Sequence, residues 1–88
     1  MNSFVKNQEM RIQEILTIRP DVQFGTPVFK GTRVPVTHLF DFLEDGLSIT
    51  QFIDEFPSVQ YKQAVDLLEW TNSLLKSPQI FDIYESAA

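Results

Sequence analysis

Residues 25–35, Gly-Thr-Pro-Val-Phe-Lys-Gly-Thr-Arg-Val-Pro, constrain this chain more than any other stretch. Glycine reaches backbone angles that other residues avoid, while proline fixes φ near −65° and removes a backbone donor. Two of each within eleven residues prescribe a rigid, bent strand or hairpin. The same block carries Lys30 and Arg33, two of the seven basic side chains. Ahead of it, Ile15-Leu16-Thr17-Ile18 is apolar and β-branched and stops before Pro20, so it reads as a strand. Asp21 to Gly25 turns the chain, and Val28-Phe29-Lys30 supplies the second strand of a short arm. Residues 1–14 are polar and mixed, without a clean period, and read as an N-terminal extension.

Three helical segments follow. Proline suits an opening helical turn, which sets the first start near Pro35–Thr37. Val36, Leu39, Phe40 and Leu43 make one apolar stripe, and Gly46 follows as a stop. Ser48 and Gln51 form an S-x-x-Q capping box at the second start. Ile49, Phe52, Ile53 and Phe56 are the buried stripe of that short helix, which Pro57 ends. The third helix runs from about Val59–Tyr61 to Lys76. Ala64, Leu67, Leu68, Thr71, Leu74 and Leu75 are its expected core stripe, and Lys62, Asp66, Glu69, Ser73 and Lys76 its outward one. A short connection between a short and a longer helix is the helix-turn-helix layout. Residues 15–76 thus form the domain, and residues 77–88 a C-terminal tail.

At 88 residues the chain is near the size where a core stands unaided, and a homodimer is the expectation. It has no cysteine and no apolar run of the ~18 residues a membrane span needs, so a cytoplasmic protein without membrane attachment is expected. Charge is divided unevenly. Residues 1–36 hold five cations against three carboxylates; residues 37–88 hold two lysines against nine carboxylates. The acidic half repels phosphate and favours a basic protein partner. Any nucleic-acid face therefore draws on the arm and the start of the third helix: Lys30, Thr32, Arg33, Tyr61, Lys62 and Gln63. For Arg33 the alternative is a structural pair with Asp41 or Glu44. For Lys62 it is a solvated surface charge.

Catalysis lacks an inventory. The single histidine, His38, reads as a surface or capping residue at a helix start. Glu44-Asp45 and Asp54-Glu55 are adjacent pairs whose side chains diverge by about 100° on a helix. No enzyme activity, cofactor or metal is expected. The tail carries Ile80, Phe81, Asp82, Ile83 and Tyr84. Those four apolar groups either fold back onto the core or dock on a basic partner, and they are the candidate partner-binding residues.

Gly25, Pro27, Gly31, Thr32, Arg33 and Pro35, with Leu39, Leu43, the Gly46-Leu47-Ser48 hinge, Phe52, Phe56-Pro57 and Gln63-Ala64, resemble the DUF433 family over roughly residues 15–75. The resemblance implies a mainly α fold: a three-helix, homeodomain-like helix-turn-helix core with a short N-terminal β-hairpin or arm. Some members are assigned as VapB-like antitoxins. It thus implies a non-catalytic antitoxin of a toxin–antitoxin pair, with a basic PIN-type ribonuclease toxin and operator DNA as partners. A stand-alone DNA-binding transcription regulator and a dimerisation module without DNA binding are the alternatives. Thr26 stands where the family commonly has lysine, and Gln60 where serine or threonine caps the third helix.

Overall fold

The structure, a computed structural model, describes residues 11–87; residues 1–10 of the extension read over residues 1–14 lie outside them. After a 3-10 turn at Ile12–Glu14, strand β1 (Leu16–Thr17) pairs antiparallel with β2 (Val28–Phe29), setting Leu16 opposite Phe29 and Thr17 opposite Val28. Both strands are shorter than the sequence suggests. Ile18 is exposed, and Pro20 follows without a donor to extend the ladder. The chain then doubles back on the other side of β2. Phe29 N–H donates to the Val34 carbonyl (2.9 Å), Val36 N–H donates to the Pro27 carbonyl (3.0 Å), and Val28 bridges Pro35. The turn between them passes through Gly31 at φ +78°, a left-handed conformation that favours glycine. The glycine–proline block is the braced element its composition suggests.

Helices α1 (Thr37–Glu44), α2 (Ile49–Glu55) and α3 (Tyr61–Leu75) follow, and a fourth, α4 (Gln79–Ala87), ends the described chain. The protein is therefore mainly α with a small antiparallel hairpin at its start. Two local signals set the α1–α2 corner. Gly46, at φ +82°, lets its own N–H reach the Leu43 carbonyl (3.0 Å) and the Leu47 N–H reach the Phe42 carbonyl (2.9 Å). These are the paired bonds that close a helix C-terminus. Two residues on, the Ser48 Oγ accepts from the Gln51 N–H (3.1 Å) and the Gln51 Oε1 from the Ser48 N–H (2.8 Å), so the capping box is complete.

The core draws on every part of the domain: Ile15 and Phe29 from the arm, Val36 just before α1 and Leu39 within it, Phe52 from α2, Val59 just before α3, and Ala64 and Leu67 within it. Phe52 lies at its centre, with ring centroids 5.9 Å from Phe29, 5.3 Å from Phe42 and 5.1 Å from Phe56. Phe42 lies outside the stripe read for α1, yet it packs edge-on against both Phe52 and Phe56. His38, expected at the surface, is half-buried with its ring 5.6 Å from Phe56.

The far end of α3 departs from its expected faces. Leu74 and Leu75, assigned to the core, are exposed. Ser73, assigned outward, is buried, and its Oγ donates to the Trp70 carbonyl (2.6 Å). Length explains the difference. At 1.5 Å per residue α3 is about 22 Å long against about 12 Å for α1, so its last turn outruns the helices that would cover it. The tail likewise is not folded onto the core. Its residues Gln79–Ala87 form α4, none of them is buried, and that helix packs on α3. Pro78 ends one helix and opens the next, a position where its missing N–H costs nothing.

Candidate functional site

Two surfaces collect the chemistry-bearing residues. The first joins the arm to the start of α3. The Gln63 side-chain amide donates from Nε2 to the Lys30 carbonyl (3.0 Å) and accepts at Oε1 from the Gln60 N–H (2.9 Å). One amide thus satisfies an orphan donor at the helix start and pins the arm to it. Thr32 is used in the same way. Its hydroxyl donates to the Phe29 carbonyl (2.8 Å) and accepts from the Val34 N–H (3.0 Å), closing the turn around Gly31. Of the six residues read as a nucleic-acid face, Thr32 and Gln63 therefore have their polar groups engaged within the fold.

Lys62 is also engaged. Its Nζ donates to Asp66 Oδ2 at 2.7 Å across one helical turn. That hydrogen bond and the attraction of the same carboxylate raise its pKa above the usual 10.5, with smaller contributions from Glu69 and Glu14. The ammonium stays charged through the physiological range, but Asp66 offsets its field. Lys30, Arg33 and Tyr61 remain exposed. Among the described residues neither Lys30 nor Arg33 forms an ion pair, and the Arg33 bridge to Asp41 or Glu44 is not made. The free basic character of this surface comes down to one lysine and one arginine on a braced loop.

The Thr32 geometry yields a direct expectation. Thr32→Val keeps shape but strands the Val34 N–H and one acceptor site on Phe29, costing about 1–2 kcal/mol. The urea midpoint should fall accordingly, and Thr32→Ser should recover most of the loss. An unchanged midpoint for the valine variant would refute the role given to the hydroxyl.

The second surface is where α3 meets α4. Thr71, Leu74, Leu75, Gln79, Ile80 and Ile83 line an apolar groove of about 220 Å³. The Thr71 hydroxyl is turned inward, donating to the Leu67 carbonyl (2.8 Å), and leaves the groove wall apolar. Of the five tail residues read as partner-binding, Ile80 and Ile83 line this groove, while Phe81, Asp82 and Tyr84 stand exposed on α4. Leu74 and Leu75 were hidden from sequence reasoning by their place in a continuous apolar stripe. Among the described residues, no group of three or more His, Cys, Asp or Glu side chains is placed to hold a metal ion, and no helix is long and apolar enough to cross a membrane.

The model of a family described as "Protein of unknown function (DUF433)" matches residues 16–70. The uncharacterized protein y4eO of Sinorhizobium fredii (strain NBRC 101917 / NGR234) is 40% identical over 47 residues, which is 53% of this chain and 21% of that protein. The chain thus spans about a fifth of the length of the curated relative it matches. No solved structure matches the chain.

Proposed function

Since the chain belongs to the DUF433 family, we propose that it is a non-catalytic, antitoxin-like protein that neutralises a basic PIN-type ribonuclease toxin through its acidic helical half. The α3–α4 groove carries this reading. It offers exposed Leu75 and Ile83, at 62% and 64% accessibility, within a half of the chain that holds nine carboxylates against two lysines. A ribonuclease must attract phosphate, so its working surface is cationic. An apolar anchor within an acidic half of the chain suits such a surface in both contact and charge. The groove begins at Thr71, just beyond the stretch matched by the family model.

The deciding experiment is co-expression with the product of a neighbouring gene for a small basic nuclease. The two chains should co-purify, and nuclease activity should be suppressed in the complex. A nuclease that stays active and separates from this chain would overturn the reading.

Operator binding by a homodimer is a second reading, favoured by Lys30 and Arg33, which form no ion pair among the described residues and sit on an arm pinned to the start of α3. Each phosphate contact steepens the log–log salt dependence by about 0.9. Two free cations per protomer therefore set a slope of about −4 for a dimer on its own promoter. Absence of binding at low salt would end this reading and leave a toxin-binding or purely dimerising module.

A further inference from the structure

The loop between β1 and β2 spends stability on displaying one ring. Gln23 and Phe24 both have positive φ, at 49° and 56°, a left-handed conformation disfavoured for residues with a Cβ and most of all for bulky ones. The turn is held by hydrogen bonds from the Gly25 N–H to the Val22 carbonyl (3.1 Å) and from the Thr26 N–H to the Gln23 carbonyl (3.0 Å). Its result is a phenyl ring at 101% accessibility, the most exposed large apolar side chain among the described residues. A left-handed pair is ordinarily kept where something gains from it, and the core does not gain from a fully exposed ring.

The surroundings identify what does. Phe24 shares a shallow pocket with Pro20, Asp21, Gln23 and Arg33. The Asp21 carboxylate is already held by Arg19, whose Nε donates to Oδ1 (3.2 Å) and whose terminal nitrogen donates to Oδ2 (3.0 Å). The Arg33 guanidinium has no ion-pair partner among the described residues, so the uncompensated charge of the pocket is positive. A ring face beside a free guanidinium is the pairing that takes an unpaired nucleotide, with the base stacked on the aromatic ring and the phosphate on the arginine. We infer that Phe24 and Arg33 form a nucleotide-binding site on the arm, separate from the α3–α4 groove and independent of the reading given to that groove.

Fluorescence anisotropy of a short fluorescein-labelled oligothymidylate at low salt tests it. The wild-type chain should bind. Phe24→Gly should weaken binding roughly tenfold or more, by loss of stacking. Because glycine accepts the left-handed angle, the same variant should melt at an equal or higher temperature, so a binding loss is not an unfolding loss. Arg33→Gln should reduce the salt slope by about 0.7, the single-strand value for one phosphate. Thymidine monophosphate as competitor separates the sources: competition assigns a free nucleotide and its absence a strand, and either upholds the base-and-phosphate chemistry. Failure of the wild type to bind either probe would overturn the inference. So would equal binding by Phe24→Gly, or a homodimer that Phe24→Gly dissociates without touching oligonucleotide affinity.

Discussion

Phe52→Ala is expected to destabilise the protein more than any other single substitution considered. Phe52 has no accessible surface and meets three other phenylalanine rings, two of them on different elements. Replacing such a ring by a methyl group costs about 3–5 kcal/mol through lost burial and the cavity left behind. A domain of this size has only about 5–15 kcal/mol in total. The cavity cannot collapse easily, because the aromatic neighbours are fixed from two sides. Phe29 is tied into the hairpin, and Phe42 lies in the last turn of α1, where its own carbonyl closes the Gly46 corner. Phe52→Leu retains most of the volume and should cost less than half as much. Urea unfolding followed by far-ultraviolet circular dichroism gives both midpoints. A Phe52→Ala midpoint close to wild type would mean that the aromatic cluster does not organise the core.

The double variant Leu75→Asp, Ile83→Asp carries the other large effect, and it falls on binding. Both side chains are mostly exposed, so their replacement should alter the unfolding free energy by about 0.5 kcal/mol or less per site. Buried in a partner interface, each anchor of this kind is worth about 1–2 kcal/mol. Together they should weaken the proposed nuclease complex by about a hundredfold. The added carboxylates do not improve matters despite the partner's charge, since they would have to be desolvated in an apolar groove. Pull-down and titration against the co-expressed nuclease measure this directly. Undiminished affinity with intact stability would remove the groove from the interface. If the variant instead split a homodimer, the groove would belong to self-association.

Where the sequence was legible, a local stereochemical demand was written into it. The glycine–proline block, the Gly46 stop and the Ser48–Gln51 box each need particular residue types at fixed spacing, and each formed as read. The stripe of α1 was readable for the same reason, because its period reports the face without reference to neighbours. The end of α3 was not. A period tells which residues share a face but not where the opposing helices stop, so Leu74 and Leu75 read as core although both are exposed. Pro78 hid α4 because a proline that ends a helix and one that opens a helix look alike in sequence. Thr32 and Gln63 were read as candidate contacts since hydroxyl and amide groups suit both ligands and backbones. Only the distances decide that these two serve the backbone. Phe24 carried no signal at all, because its meaning lies in a dihedral angle.

The amide of Gln63 that grips the carbonyl of Lys30 joins positions 33 apart along the chain, and the packing of Phe29 on Phe52 spans 23. Helical turns close over neighbours, whereas distant pairings wait for the intervening chain. During synthesis, then, the hairpin leaves the ribosome ahead of the helices, yet its bond to the long helix is unavailable until Gln63 has emerged. Until residues 52–63 follow, the nascent arm lacks that bond and Phe29 lacks the ring it packs on, so the middle of the chain is what locks its beginning.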